Sequence, residues 1–222
     1  MKLAQFPPYP GDLFALERFR KEREPFFSVE ANPPAAVVLG CGTPASPDVR
    51  LDACRADALP VYRRKGGGGA VYLGPGVVVI TGCFPPVPGR FPDAWSKRVV
   101  SALRNALFGS LRPGLTEVEG PPPVVPLGLG DLCLAVSPGE PRKILGSSLY
   151  LARDAVLYQA SLLYQADLTL LSRYLGRPSL MPEYRRERSH EDFVTNLAPQ
   201  WLLDAHELER ALTGCLATVT AA

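Results

Sequence analysis

The chain has 222 residues, 46% of them hydrophobic and 21% charged, an ordinary globular balance that can fill a core. Its net charge of +2 singles out neither nucleic acid nor an acidic surface as a partner. The N-terminus has no apolar stretch of signal-peptide length and no run reaches about 18 apolar residues, so a cytoplasmic protein without nucleic-acid or membrane partners is expected.

The 24 prolines and 20 glycines are spread along the chain and imply many turns. The five cysteines (41, 54, 83, 133, 215) are odd in number and lack CxxC spacing, as expected for reduced thiols. From Asp12 to Glu22, apolar residues recur at helical spacing (Leu13, Phe14, Leu16, Phe19), bounded by Pro10 and Pro25, which predicts an opening amphipathic helix. Residues 35–40 read as a buried strand, 43–53 as a loop and a short polar helix, and 59–64 as an extended run. Residues 71–81 read as two strands broken at Gly74-Pro75-Gly76, because Pro75 cannot donate to a central ladder. From Phe91 to Phe108, the spacing of Trp95, Val99, Leu103 and Leu107 predicts the clearest helix.

Further on, residues 116–125 read as strand, triple proline and strand. Residues 129–136 and 142–150 read as a hairpin with a turn at 137–140, and 156–164 as another apolar strand. A helix is expected from Leu168 to Tyr174, a polar linker over 177–189, and a last helix over about 201–212. With no repeat and no break in composition, residues 1–222 are expected to form a single domain.

One stretch organises the rest: Arg63-Arg64-Lys65 leads into Gly66-Gly67-Gly68-Gly69-Ala70-Val71-Tyr72. Ordering four glycines costs much backbone entropy, so the run suggests a place where main chain must approach something closely. Successive amides can converge on an anion there, with arginines beside them. A flexible glycine-rich hairpin is the plain alternative. A P-loop does not fit, because no Gly-Lys-Ser/Thr follows. Lys143 is notable in an otherwise apolar strand that follows one opened by Asp131, although placement alone fits a solvated hairpin lysine. His190 and His206 are too few for a histidine metal cluster, and no metal ligand set is expected. His190, among Arg185, Arg186, Arg188, Glu191 and Asp192, reads as part of a solvated charged face. Cys83 and Cys133 read as buried structural thiols.

Two blocks together give a more specific reading. Arg63-Arg64-x-x-Gly67-Gly68-Gly69-Ala70-Val71-Tyr72 resembles the signature loop of the lipoate–protein ligase family. Asp131-Leu132, Arg142-Lys143-Ile144-x-Gly146-Ser147-Ser148 and Val156-x-x-Gln159-Ala160-Ser161-Leu162-Leu163 resemble that family's second signature, over a core of about residues 30–200. The resemblance implies an α+β fold, a mixed sheet with packed helices like the catalytic domains of biotin ligases and class II synthetases. It implies activation of lipoate or octanoate with ATP, accompanied by Mg, as an acyl-adenylate, and transfer to a lysine of a small lipoyl-acceptor domain. Gly67, Gly68, Gly69 and Ala70 would line the acyl-adenylate and Arg64 would contact its phosphate. Lys143 would bridge the acyl carbonyl and phosphate oxygens, and Asp131 would lie on the adenine or metal side. Tyr72, Gly146, Ser147, Gln159 and Ala160 complete the implied binding set, with apolar strand residues walling a tunnel for the acyl chain.

The chain also departs from the ligase pattern. Leu73-Gly74 stands where His-Asp is usual, Val77 near a usual asparagine, and Gly130 where an asparagine usually precedes Asp131. Gly74-Pro75-Gly76 resembles the octanoyltransferase branch, which uses no ATP and takes the acyl group from a carrier protein through a cysteine, here Cys83 or Cys133. The lost polar residues also fit a binder of lipoyl-adenylate without turnover. No separate C-terminal accessory domain is expected, so an accessory protein or a preformed acyl donor would take its place.

Overall fold

Burial on both faces of two long strands sets the architecture. In the computed structural model, which describes residues 6–113, 124–135, 140–179, 183–185, 188–197 and 201–221, β5 (Val77–Phe84) and β10 (Val156–Leu163) lie side by side, antiparallel, near the centre of a six-stranded sheet. Its order is β1 (Phe26–Ala31), β5, β10, β9 (Arg142–Leu151), β8 (Asp131–Leu134), β7 (Val124–Leu127). Successive side chains point to opposite faces. Val78, Ile80, Phe84, Tyr158 and Leu162 therefore enter one core, and Val77, Val79 and Leu163 enter another.

The first core is closed by α4 (Pro92–Ser110), whose Trp95, Val99, Leu103 and Leu107 form a buried stripe, and by Leu208 and Leu212 of α7 (Ala205–Gly214). A stacked pair, Phe84 on Trp95 at 5.7 Å between ring centroids, fastens α4 to the sheet. α1 (Pro10–Glu22) buries Ala15, Leu16 and Phe19 against Phe26, Cys83 and Leu157. The opposite face is roofed by a separate three-stranded sheet, β3 (Val61–Arg63), β2 (Ala36–Leu39) and β4 (Val71–Leu73), in the order β3-β2-β4. α5 (Leu168–Tyr174) and α6 (His190–Phe193) complete that roof. The short helices α2 (Ala45–Asp48) and α3 (Leu51–Ala56) follow β2, and α8 (Leu216–Thr220) ends the described chain.

The expected helices over 12–22, 91–108 and 168–174 and the hairpin of 129–136 with 142–150 are present. Gly74-Pro75-Gly76 does break a strand pair, but as a switch between sheets: β4 pairs with β2 and β5 with β1 and β10. Other elements differ from expectation. β1 went unread, because Ser28 and Glu30 dilute its apolar pattern on an edge strand. Trp201–Leu203 (β11) is a strand paired with Leu111–Pro113 (β6), and the helix starts only at Ala205, where the Asp204 side chain caps the Glu207 amide. The triple proline, most of 116–125 and the core of the turn at 137–140 lie outside the described residues.

Leu103 is fully buried between α4 and the sheet. Leu103→Ala is expected to destabilise the protein by about 2–5 kcal/mol. Chemical denaturation would show this as a lower midpoint at unchanged slope.

Candidate active site

Between the large sheet and its roof lies a cavity of about 450 Å³. Its wall on one side is the glycine loop that joins β3 to β4. The carbonyl oxygens of its four glycines turn into the protein. The oxygen of Gly66 accepts from the Cys41 amide at 2.9 Å and that of Gly68 from Thr43 Oγ1 at 2.6 Å. Arg64 donates from Nε and Nη2 to Gly67 O (3.1 and 2.6 Å), from Nη2 to Gly69 O (2.8 Å) and from Nη1 to Val38 O (3.1 Å). Gly68, Gly69 and Ala70 border the cavity, and among the described residues their amides meet no protein acceptor. A backbone with satisfied carbonyls and unpaired amides can serve as an anion cradle.

Packing enforces this shape. Gly68 sits at φ +84°, and a Cβ on Gly40 would come within 1.9 Å of its carbonyl oxygen. Below the loop, buried Asp12 accepts from the Lys65 amide at 2.5 Å. Burial raises the pKa of Asp12, against the pull of that hydrogen bond and of Arg64. Arg63 ties the preceding turn, donating to Gly40 O (2.6 Å) and Thr43 O (2.9 Å). Burial lowers the pKa of Arg64 to about 10, so it remains a cation at neutral pH.

These facts bear on two expected roles. Arg64 borders the cavity and also clamps the loop: four bonds from its guanidinium go to main-chain oxygens. Gly67 does not border the cavity, since its carbonyl is drawn back by that clamp.

The second wall comes from β8 and β9. Leu132 pairs with Leu145 but Cys133 with Lys143, so Ile144 is an additional residue on β9. Such a bulge reverses the inside–outside order, which places Lys143 and Gly146 on one face. A Cβ at Gly146 would lie 2.7 Å from both Cε and Nζ of Lys143, so the absent side chain leaves room for the ammonium. Lys143 Nζ meets Asp131 Oδ1 at 2.9 Å, and Tyr184 donates its hydroxyl to Asp131 Oδ2. Asp131 is therefore the counter-ion of Lys143.

Tyr72, Asp131, Lys143, Gly146, Ser147, Gln159 and Ala160 all border the cavity together with the loop. Ala160 does so although its methyl belongs to the core across the sheet. The remaining lining is largely apolar: Val71, Leu73, Val79, Leu163, Leu171 and Phe193. His190 also borders the cavity, contrary to the expected solvated face. Burial first, then Arg185 and Arg50, lowers its pKa to about 4, so its imidazole is neutral at neutral pH.

Neither candidate nucleophilic thiol borders the cavity. Cys83 is enclosed with α1 residues, and burial pushes it up to about 12. Cys133 is fully buried and pushed up to about 12 by burial and the charge of Asp131. A nucleophilic cysteine needs the opposite surroundings, electropositive and accessible. Thr43, Asp12 and Tyr184 had no signature in the sequence, because their roles depend on chain segments that only folding brings together.

A family model describing the lipoyl protein ligase A/B catalytic domain matches residues 12–216. The probable lipoate-protein ligase A of Mycoplasma pneumoniae is 27% identical over 167 residues, covering 72% of this chain and 43% of that protein. The chain thus spans less than half the length of that curated relative. Among solved structures, the bipartite lipoate protein ligase of Thermoplasma acidophilum, studied with its E2 lipoyl domain, superposes with a TM-score of 0.70 at 21% identity, over 98% of this chain and 81% of that one. A lipoate-protein ligase A bound with ATP superposes with a TM-score of 0.67 at 22% identity, over 99% and 85%. The T. acidophilum protein Ta0514 with bound lipoic acid gives 0.65 at 22%, over 98% and 83%. These likenesses show the expected α+β fold.

Two outcomes test the site. In Gly146→Ala only the flexible end of Lys143 must yield, so the unfolding free energy is expected to change by no more than about 0.5 kcal/mol. A crystal structure of that variant is expected to show Lys143 Nζ displaced from Asp131. His190 is held neutral in the folded protein, so below its ordinary pKa of 6.5 the unfolded chain binds the extra proton. Its contribution makes stability rise with pH between about 4 and 6.5 and is complete above that window. His190→Gln is expected to flatten the rise, as read from thermal midpoints across that range.

Proposed function

Since this chain belongs to the lipoyl protein ligase A/B catalytic domain family, we propose that it activates lipoate or octanoate with ATP as the acyl-adenylate and transfers the acyl group to a lysine of a small acceptor domain. The observation that carries this reading is the pairing, on one cavity, of the unpaired amides of Gly68, Gly69 and Ala70 with the Lys143 ammonium. The amides would hold the carboxyl or phosphate oxygens. Lys143, exchanging Asp131 for substrate, would stabilise the negative charge that develops as the acyl carbon is attacked. Ser147 and Gln159 would supply polar contacts nearby. The apolar walls would take the aliphatic chain, each buried methylene contributing about 0.8 kcal/mol, and would keep water from the reactive anhydride.

That one solved relative carries ATP and another lipoic acid supports both ligands for this cavity. Among the described residues no three acidic, histidine or cysteine side chains gather around a point. Magnesium would therefore arrive on the triphosphate, as it commonly does. We take residues 1–222 as one catalytic domain. A separate accessory protein as a further partner is supported by the bipartite relative from T. acidophilum. The same relative, studied with its E2 lipoyl domain, supports a lipoyl-type acceptor. The carrier-dependent transferase reading would need a thiol at the cavity, and the enclosed positions of Cys83 and Cys133 weigh against it.

Incubation with ATP, magnesium, lipoate and a lipoyl acceptor domain is expected to add the lipoyl mass to the acceptor, with octanoate tested in parallel. Lys143→Ala is expected to abolish the shift, and Cys83→Ser with Cys133→Ser to leave it intact. Transfer that proceeds without ATP from an acyl carrier and vanishes in the cysteine variants would reverse the assignment. Ligand binding by calorimetry without any transfer would instead establish a binder.

A further inference from the structure

Lys143 and Asp131 do not stand alone. Tyr184 lies in a short 3-10 turn, Glu183–Arg185, far along the chain from β8 and β9. Its hydroxyl donates to Asp131 Oδ2, while Asp131 Oδ1 faces Lys143 Nζ at 2.9 Å. Its ring packs on Phe193 of α6, with centroids 5.7 Å apart. Its carbonyl accepts from Arg188 Nη2 at 3.0 Å, and Arg188 Nη1 also donates to Pro141 O, beside the start of β9, at 3.0 Å. Thr195 donates its amide to the carbonyl of Lys143 itself at 3.0 Å. One segment thus grips Lys143 by its main chain and, through Asp131, by its ammonium.

Resting on the reading of Lys143 above, we infer that Tyr184 is a positioning residue that acts on Lys143 through Asp131. A carboxylate with one oxygen on a cation can turn about its last bonds, and lets the cation wander with it. A hydroxyl on the other oxygen, anchored by Phe193 and Arg188, fixes the carboxylate plane and so the point at which the ammonium waits. Burial and the neighbouring negative charge keep the Tyr184 hydroxyl protonated, as a donor must be. In metal sites, an outer partner that orients a ligand is commonly worth about 10- to 100-fold when removed, and the same scale is taken for Tyr184.

The test is a double-mutant cycle of Tyr184→Phe and Asp131→Asn, read on the rate at which an amine-reactive reagent modifies Lys143, by peptide mass spectrometry. This readout needs no turnover, so it stands whether or not the ligase reading does. Loss of acceptor modification in the wild type would defeat that reading and leave this one to be judged by labelling. Each single change is expected to speed labelling on the order of tenfold by releasing the ammonium. Tyr184→Phe in the Asp131→Asn background is expected to add nothing. Where acyl transfer is measured, Tyr184→Phe is expected to lower kcat and leave KM for the acid unchanged. An unchanged or slower labelling rate in Tyr184→Phe overturns the inference. So does an undiminished effect of Tyr184→Phe once Asp131 is gone, since that marks a purely structural role. The phenylalanine keeps the ring packing. Should that variant not fold, Tyr184→Leu is judged by the same criteria.

Discussion

Main-chain amides can gather around an anion only where the carbonyl oxygens of the same residues are turned away and satisfied, because an unmet buried carbonyl costs as much as the new bond gains. Residues 66–69 meet this constraint with donors from three residues: the Cys41 amide, the Thr43 hydroxyl and the Nε and Nη2 groups of Arg64. Those donors need β2, β3 and the turn between β2 and α2 to stand where they do. They also need Arg64 charged in a buried position, which the nearby Asp12 favours. The small roof sheet can thus be understood as the support of one loop.

Opposite the loop, a bulge and a missing side chain do comparable work. Ile144 shifts the register of β9, and Gly146 leaves the space that the Lys143 ammonium fills. The cation is held by Asp131 and, among the described residues, the amides of Gly68, Gly69 and Ala70 have no protein acceptor, so each wall offers donors to negative charge beside the carboxylates of Asp48 and Asp131. An occupant with a carboxyl or phosphate group would satisfy both walls, at the cost of drawing Lys143 from its present partner. The apolar remainder of the cavity sets the character of the rest of such a molecule.

Much of this was legible in the chain. The helical stripe of Trp95, Val99, Leu103 and Leu107 is local periodicity, and the glycine run and the lysine strand are local signatures. Local signals could not tell which way a guanidinium would point. Arg64 reads as a phosphate ligand beside four glycines, and only the positions of Val38, Gly67 and Gly69 make it a clamp. Tyr184 and Asp131 are joined by folding across a long separation in the chain, and nothing in a polar linker marks the tyrosine. β1 was obscured for another reason: an edge strand with polar residues has a weak pattern, and its place is set by pairing with β5.

The most direct measurement is a crystal structure of the protein with a non-hydrolysable lipoyl-adenylate analogue. The account predicts its acyl and phosphate oxygens against the amides of Gly68, Gly69 and Ala70, with Lys143 Nζ moved from Asp131 into hydrogen-bonding distance of both groups. An analogue bound elsewhere, or bound in this cavity with Lys143 still on Asp131 and the loop amides unengaged, would contradict it.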